Sequence, residues 1–267
     1  MIPTAFPEVR RAAAPGVRLI GSVGQTKDFD RQCALLGLCP TDAPDPDVNE
    51  TGEVSAPLLQ AGEATIEAIR HSLSPPFCGF LETGPDGLTG TGPRCIETAL
   101  AGGLVLSLTA TTACTLPVVE LAAVAIRRRL ALPDGEGAEL MEICLAEAVS
   151  NAVIHGNLEI PDHLRATPRG FESFRTVMRE RLCNPSMALR RIEIHVLRAT
   201  SSSFTLAVSD QGRGFSLEDQ LKKETRATAH SGRGLGLIRR ACAQIESEDG
   251  GRTLVMTFPW LRVTAKD

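Results

Sequence analysis

Two short runs in the second half of the chain alternate between apolar and polar positions. In Arg190 to Leu197, Ile192, Ile194 and Val196 point one way and Glu193 and His195 the other. In Ser203 to Ser209 the apolar set is Phe204, Leu206 and Val208. Period-2 runs joined by Ala199-Thr200-Ser201-Ser202 predict an antiparallel pair of strands. Arg252 to Phe258 alternates in the same way, and the apolar run Leu104 to Thr109 reads as another strand. Helical spacing appears between them. Pro117 opens a helix over Val118 to Leu130, which closes on Arg127, Arg128 and Arg129, cations suited to a helix C-terminus. A longer helix is predicted from Ala138 to His155, stopped by Gly156. Apolar residues at 237, 238, 241, 242 and 245 predict a helix over Leu235 to Ile245. The order strand, helix, helix, strand, strand, helix, strand predicts an α+β fold, a two-layer α/β sandwich with helices on one face of a mixed sheet.

The first hundred residues carry a fainter pattern. Val17 to Val23 reads as a strand, and Gln60 to Leu73 as a helix ended by Pro75-Pro76. Thr41 to Glu53 is acidic, with Pro44 and Pro46 inside it, as in an exposed loop. Gly79 to Gly92 contains five glycines and reads as loop or linker. Residues 1–102 are therefore set apart as an N-terminal region, either a degenerate, receiver-like regulatory domain or a partly disordered stretch. Residues 103–262 form the second domain. No acidic pair follows the first predicted strand, so a working phosphoacceptor is not expected upstream.

Composition narrows the class. An apolar fraction of 43% and a charged fraction of 22% are those of an ordinary globular protein. A formal net charge of −4 gives no basic field for direct nucleic-acid binding. Met1 to Leu19 holds Pro3, Pro7 and Pro15 and lacks the apolar core of a signal peptide or membrane span. None of the eight cysteines sits at CxxC spacing, which predicts reduced, mostly buried thiols and a cytoplasmic location.

Three constellations carry candidate chemistry. Glu147, Asn151 and His155 lie at i, i+4 and i+8 on the long helix, with Leu145, Val149, Ala152 and Val153 on the opposite side. A carboxylate and an amide on so apolar a helix need partners, either in a polar core network or at a pocket wall. In a pocket, the Asn oxygen suits Mg²⁺ and the Glu can activate a hydroxyl. The second is Asp210-Gln211-Gly212-Arg213-Gly214-Phe215, directly after an apolar strand. The third, Ser231-Gly232-Arg233-Gly234-Leu235-Gly236-Leu237, opens a helix; alternating glycines there expose backbone N–H groups fit for phosphate. It is neither a Rossmann fingerprint nor a P-loop, since no GK[ST] follows.

In this order the three resemble the GHKL superfamily of ATPases and kinases. Glu147 to Asn157 (EAVSNAVIHGN) looks like its N box, Asp210 to Phe215 (DQGRGF) like its first glycine box, and Gly232 to Leu237 (GRGLGL) like its second. The HGN ending and the GRGLGLI form are most similar to bacterial anti-sigma-factor serine kinases. The resemblance implies a Bergerat-type ATP-binding fold with ATP and Mg²⁺ as cofactors. Glu147 would be the catalytic base and Asn151 the Mg²⁺ ligand. Asp210 would read the adenine amino group, with Gly212 and Gly214 allowing close approach. Gly232, Arg233, Gly234, Leu235 and Gly236 would line the phosphates; Arg233 is equally well a solvated loop residue. His155 and Asn157 fit a capping or pocket-edge role as well as a catalytic one. Ser216 to His230 would be a polar, mobile ATP lid without an apolar stripe, from which Lys222, Lys223 and Arg226 reach phosphates or solvent.

The implied activity is a protein serine/threonine kinase acting on an antagonist protein and holding a sigma factor or similar regulator. A nucleotide-gated binding module without kinase activity stays open. So does the catalytic half of a histidine kinase with His71 as phosphoacceptor. No membrane partner is expected, and a homodimer is left open. Leu158 to Arg190, with a helix expected over Phe171 to Leu182, is a long insertion relative to the minimal anti-sigma kinase pattern.

Overall fold

The computed structural model of the chain describes residues 16–21, 28–41, 56–161, 164, 168–198, 200, 202–226 and 234–259. The first half runs β1 (Val17–Ile20), α1 (Phe29–Leu36), β2 (Leu38–Pro40), β3 (Leu58–Gly62), α2 (Ile66–Ser72), β4 (Phe77–Glu82), α3 (Pro93–Leu100) and β5 (Leu104–Thr109). These five strands are parallel and ordered β2-β1-β3-β4-β5, the order of a flavodoxin-like doubly wound sheet. The expected acidic loop, from residue 42 onward, lies outside the described residues, as do residues 22 and 23 of the first predicted strand.

Two upstream expectations are corrected. The segment read as a helix from Gln60 begins as β3, and only Ile66–Ser72 is helical. The segment read as a linker from Gly79 begins inside β4, whose six residues are all buried. Gly79 is there because a Cβ would lie 2.1 Å from the Val105 carbonyl oxygen on β5, so only glycine lets the two strands pair.

The second half adds α4 (Ala110–Thr115), α5 (Val118–Leu130), α6 (Glu136–Asn151), a π-helical turn (Ala152–Asn157), α7 (Pro168–Leu182) and α8 (Pro185–Ala188). Then come β6 (Arg191–Arg198), β7 (Ser203–Ser209), α9 (Leu217–Arg226), α10 (Gly234–Ala241), β8 (Gln244–Glu248) and β9 (Thr253–Pro259). β6 pairs antiparallel with β5, and β7, β9 and β8 follow antiparallel. The boundary expected at 102/103 thus falls just before a strand that both halves share. One sheet, β2-β1-β3-β4-β5-β6-β7-β9-β8, crosses it without a break.

Helices α5, α6 and α10 pack with α2 on one face of this sheet, over Ile192, Ile194, Val196, Leu206 and Met256. That is the α+β layer arrangement read from the alternating strands. On the other face α1 and α3 cover Val17, Leu19, Leu59, Leu81 and Val105. The polar side of β6 is therefore buried too: Arg191, Glu193 and His195 are all inside. Glu82 at the end of β4 ties the halves together. Its carboxylate accepts from Thr109 N (2.6 Å) and Thr112 Oγ1 (2.8 Å), capping α4 with a negative charge.

Candidate functional site

Helix α6 forms because residues 136–151 hold no proline and a single glycine, Gly137, near the start, and carry a continuous apolar stripe. Met141, Cys144, Leu145, Ala148 and Val149 are buried in the main core. Ile143, off this stripe, is 45% exposed. Glu147 and Asn151, one turn apart, are half-buried along one edge. The predicted stop at Gly156 is replaced by the π turn, in which Leu158 N donates to Val153 O at 2.9 Å. Such widened turns sit often at functional sites. The extra residue breaks the i+4 stripe before His155. The His155 Nδ1 instead contacts Ile160 O at 2.7 Å and closes the following loop. Asn157 is fully buried. Its amide donates to Arg191 O (3.0 Å) while its Oδ1 accepts from Gln211 N (2.8 Å).

The Asp210 turn packs directly on this π turn. Asp210 N donates to Arg252 O at 2.9 Å, and Gly212 N donates to Asp210 Oδ1 at 2.7 Å. A Cβ on Gly156 would stand 2.4 Å from the Asp210 carboxyl carbon, and one on Gly212 would stand 2.4 Å from Gly156 O. Gly214 has φ +75° and would meet Gly250 O at 2.2 Å, on the β8–β9 turn. Glycine is required at these contacts because the backbones nearly touch. Burial pushes the Asp210 carboxyl up to about 6, against the pull of the Gly212 N–H and the Arg252 and Arg190 charges. A partly buried carboxylate with a raised proton affinity at a turn is the kind of group that clusters at functional sites.

The third element closes on the first. A Cβ on Gly234, at the start of α10, would lie 2.3 Å from Glu147 Oε2, so the glycine run presses against the Glu147 carboxylate. Leu235, next on the same helix, is buried in the core. Gly236 follows on the same helix. Gly232 and Arg233 lie outside the described residues, as does the lid from residue 227. The earlier part of the lid is corrected: Leu217–Arg226 is helix α9, and Leu217 and Leu221, an i, i+4 pair, pack against the core. Helix α10 ends at Ala241 and Ile245 falls in β8, where a helix had been expected to continue.

The structure thus sets Glu147 and Asn151 on the last turns of α6, Gly234 of α10 against Glu147, and Asp210 and Gly212 against Gly156 just beyond α6. A profile of the histidine kinase-like ATPase domain matches residues 108–258. The chain belongs to that family. As a GHKL-type ATPase domain it binds ATP, and the matched span contains all three motifs. Among curated proteins none matches the chain. The residues present suit a nucleotide by their chemistry: Asp210, a half-buried carboxyl with raised proton affinity, Glu147 and Asn151 one turn apart on α6, and the glycine-bearing N-terminus of α10 beside Glu147.

Two polar features were not singled out as sites beforehand. Gln211 Oε1 accepts from Arg191 N (2.8 Å), and its Nε2 donates to Gly90 O (2.7 Å). Nothing in the motif signals this, because both partners come from distant segments. Cys95, Glu193 and His195 bring their ligand atoms within 4.8 Å of one another, all buried. Three donors fall short of the four that a structural zinc takes, and the Arg191 guanidinium beside them opposes a cation. The cluster instead fastens α3 to the sheet: Gly92 N donates to Glu193 Oε1 (2.8 Å), and Ser107 Oγ does so at 3.1 Å. Burial raises the Glu193 proton affinity, but the His195 imidazole and the Gly92 N–H outweigh it and hold the carboxyl below its usual range. A groove between α5 and α6 is lined by Leu116, Val119, Ala123, Ile143 and Ala146 together with Glu120 and Glu142, and by none of the motif residues.

Proposed function

We propose that the protein transfers the γ-phosphoryl group of Mg-ATP to a serine or threonine hydroxyl of an antagonist protein, as anti-sigma-factor kinases do, and otherwise holds a sigma factor or similar regulator. The observation that carries this reading is the Glu147 carboxylate set against Gly234 at the phosphate end of the cleft. A carboxylate beside phosphates repels them and weakens binding, so a module that only bound nucleotide would gain nothing from it. A hydroxyl to be activated gives it a use.

In this reading Asp210 accepts from the adenine amino group. The Asn151 side-chain oxygen is offered to Mg²⁺, and the amides of Gly232 to Gly236, with Arg233, hold the phosphates. Glu147 takes the hydroxyl proton as the new oxygen–phosphorus bond forms and the β,γ-bridging bond breaks, releasing ADP. Positioning and charge neutralisation carry such a transfer. The histidine-kinase alternative finds little support, because His71 lies on the seven-residue crossover α2, edge-on to Phe77 at 5.0 Å, and not on a helical hairpin.

The test is incubation with labelled ATP and candidate antagonist proteins. The wild type is expected to yield seryl or threonyl phosphate. Glu147→Ala should keep ATP binding and slow transfer by about 10²–10⁴-fold. His71→Ala should change nothing. ATP binding without label on any partner hydroxyl would defeat the kinase reading and leave a binding module.

A further inference from the structure

We infer that Gln211 is a positioning residue through which the loop between β4 and α3, in the parallel half, sets the affinity of the adenine end of the cleft. The inference rests on the reading of Asp210 as the adenine-facing carboxylate.

Gln211 follows Asp210 directly, and its side chain points away from the cleft. It spans two segments: Oε1 takes the Arg191 backbone N–H at the start of β6, and Nε2 gives to Gly90 O in the loop. Asn157 holds the same peptide from the other side, accepting Gln211 N and donating to Arg191 O. The loop itself is held by Arg191. Its buried guanidinium donates to Glu82 O (2.6 Å), Thr89 O (3.1 Å) and Gly87 O (3.1 Å). Gly92 N at the loop's end donates to Glu193 on β6.

The Asp210–Gln211 segment is thus fixed by two side chains, those of Asn157 and of Gln211 itself, and the second reaches 121 positions back along the chain. Asp210 cannot turn without Gln211 turning, and Gln211 cannot turn without breaking its bond to Gly90. A shift of the loop, whatever causes it, is relayed to the carboxylate. The phosphate end, built from α6 and α10, has no such tie to the loop in the bonds described here, so the effect is confined to the adenine end.

The experiment measures dissociation constants of the full chain for Mg-ATP and for Mg-tripolyphosphate, which lacks the base. Gln211→Ala is expected to weaken ATP about tenfold, the loss of one well-placed pair of hydrogen bonds, and to leave tripolyphosphate within about twofold. Gly90→Ala tests the loop from the other side. Gly90 has φ +81°, and its Cβ would lie 3.0 Å from Gln211 Nε2 and 3.2 Å from Arg191 Cγ, so the substitution displaces the Gln211 side chain. It should give the same selective loss, and the double variant should add little to Gln211→Ala because both break one linkage. Circular dichroism and thermal unfolding check that each variant folds. ATP affinity unchanged in Gln211→Ala, or ATP and tripolyphosphate weakened alike, overturns the inference while wild-type binding keeps the site. A wild type that binds no Mg-ATP overturns both.

Discussion

At the scale of single residues, Asp210 couples stability to binding. Its carboxyl is raised from 3.8 to about 6 by burial. The unfolded chain releases that proton near pH 4, whereas the folded chain keeps it until about pH 6. Folding stability therefore falls as pH rises across this window and stays low above it. Asp210→Asn removes the buried charge and keeps the acceptor for Gly212 N–H. At pH 7 it should be more stable than wild type by on the order of 2 kcal/mol, a gap that closes as pH drops from 6 to 4. Urea unfolding at several pH values measures it. The same variant should lose ATP, because an amide cannot match a carboxylate as acceptor for the adenine amino group. Gly156→Ala acts on the same contact from the π-helical turn. A methyl 2.4 Å from the Asp210 carboxyl carbon must push the turn away, so nucleotide binding and stability should fall together.

At the scale of elements, the site depends on how α10 seats on α6. Ile238 is fully buried and Leu235 nearly so. Ile238→Ala should cost about 3 kcal/mol in denaturant unfolding, with part of the loss appearing as weaker ATP binding, because Gly234 would no longer be pressed to Glu147. Legibility in the sequence followed period and length. β6 and β7 were readable because Ile192, Ile194, Val196, Phe204, Leu206 and Val208 alternate cleanly, and α5 because Pro117 and the three arginines mark its ends. β3 was not, since Leu58-Leu59-Gln60-Ala61-Gly62 lacks β-branched residues and runs into a helical stripe. β4 was hidden by Gly79, which signals a turn until the close approach of Val105 explains it. β8 is an edge strand whose only apolar residue is Ile245, so its pattern carried no inward face. In the site, the motif residues were legible from spacing. The roles of Asn157 and Gln211 were not, because their partners Arg191 and Gly90 are neighbours only after folding.

At the scale of the whole molecule, the two halves are joined by β5, which pairs parallel with β4 and antiparallel with β6. The first half contributes strands to the shared sheet and the cover helices α1 and α3. Removing residues 1–102 would strip α3 from the buried Glu193 and His195 and leave β5 as a bare edge. The fragment 103–267 should therefore be insoluble or unfolded, as a chromatography and circular-dichroism comparison with the full chain would show. Among the described residues no helix is long and apolar enough to cross a membrane. The claim beneath all of this is that α6, the Asp210 turn and α10 enclose one site for Mg-ATP. Calorimetric titration of the full-length protein and of Asp210→Asn with Mg-ATP measures it directly. A saturable heat with one site per chain in the wild type, lost in the variant, is the predicted result. A folded wild type that gives no heat, or a variant that binds as the wild type does, would contradict it.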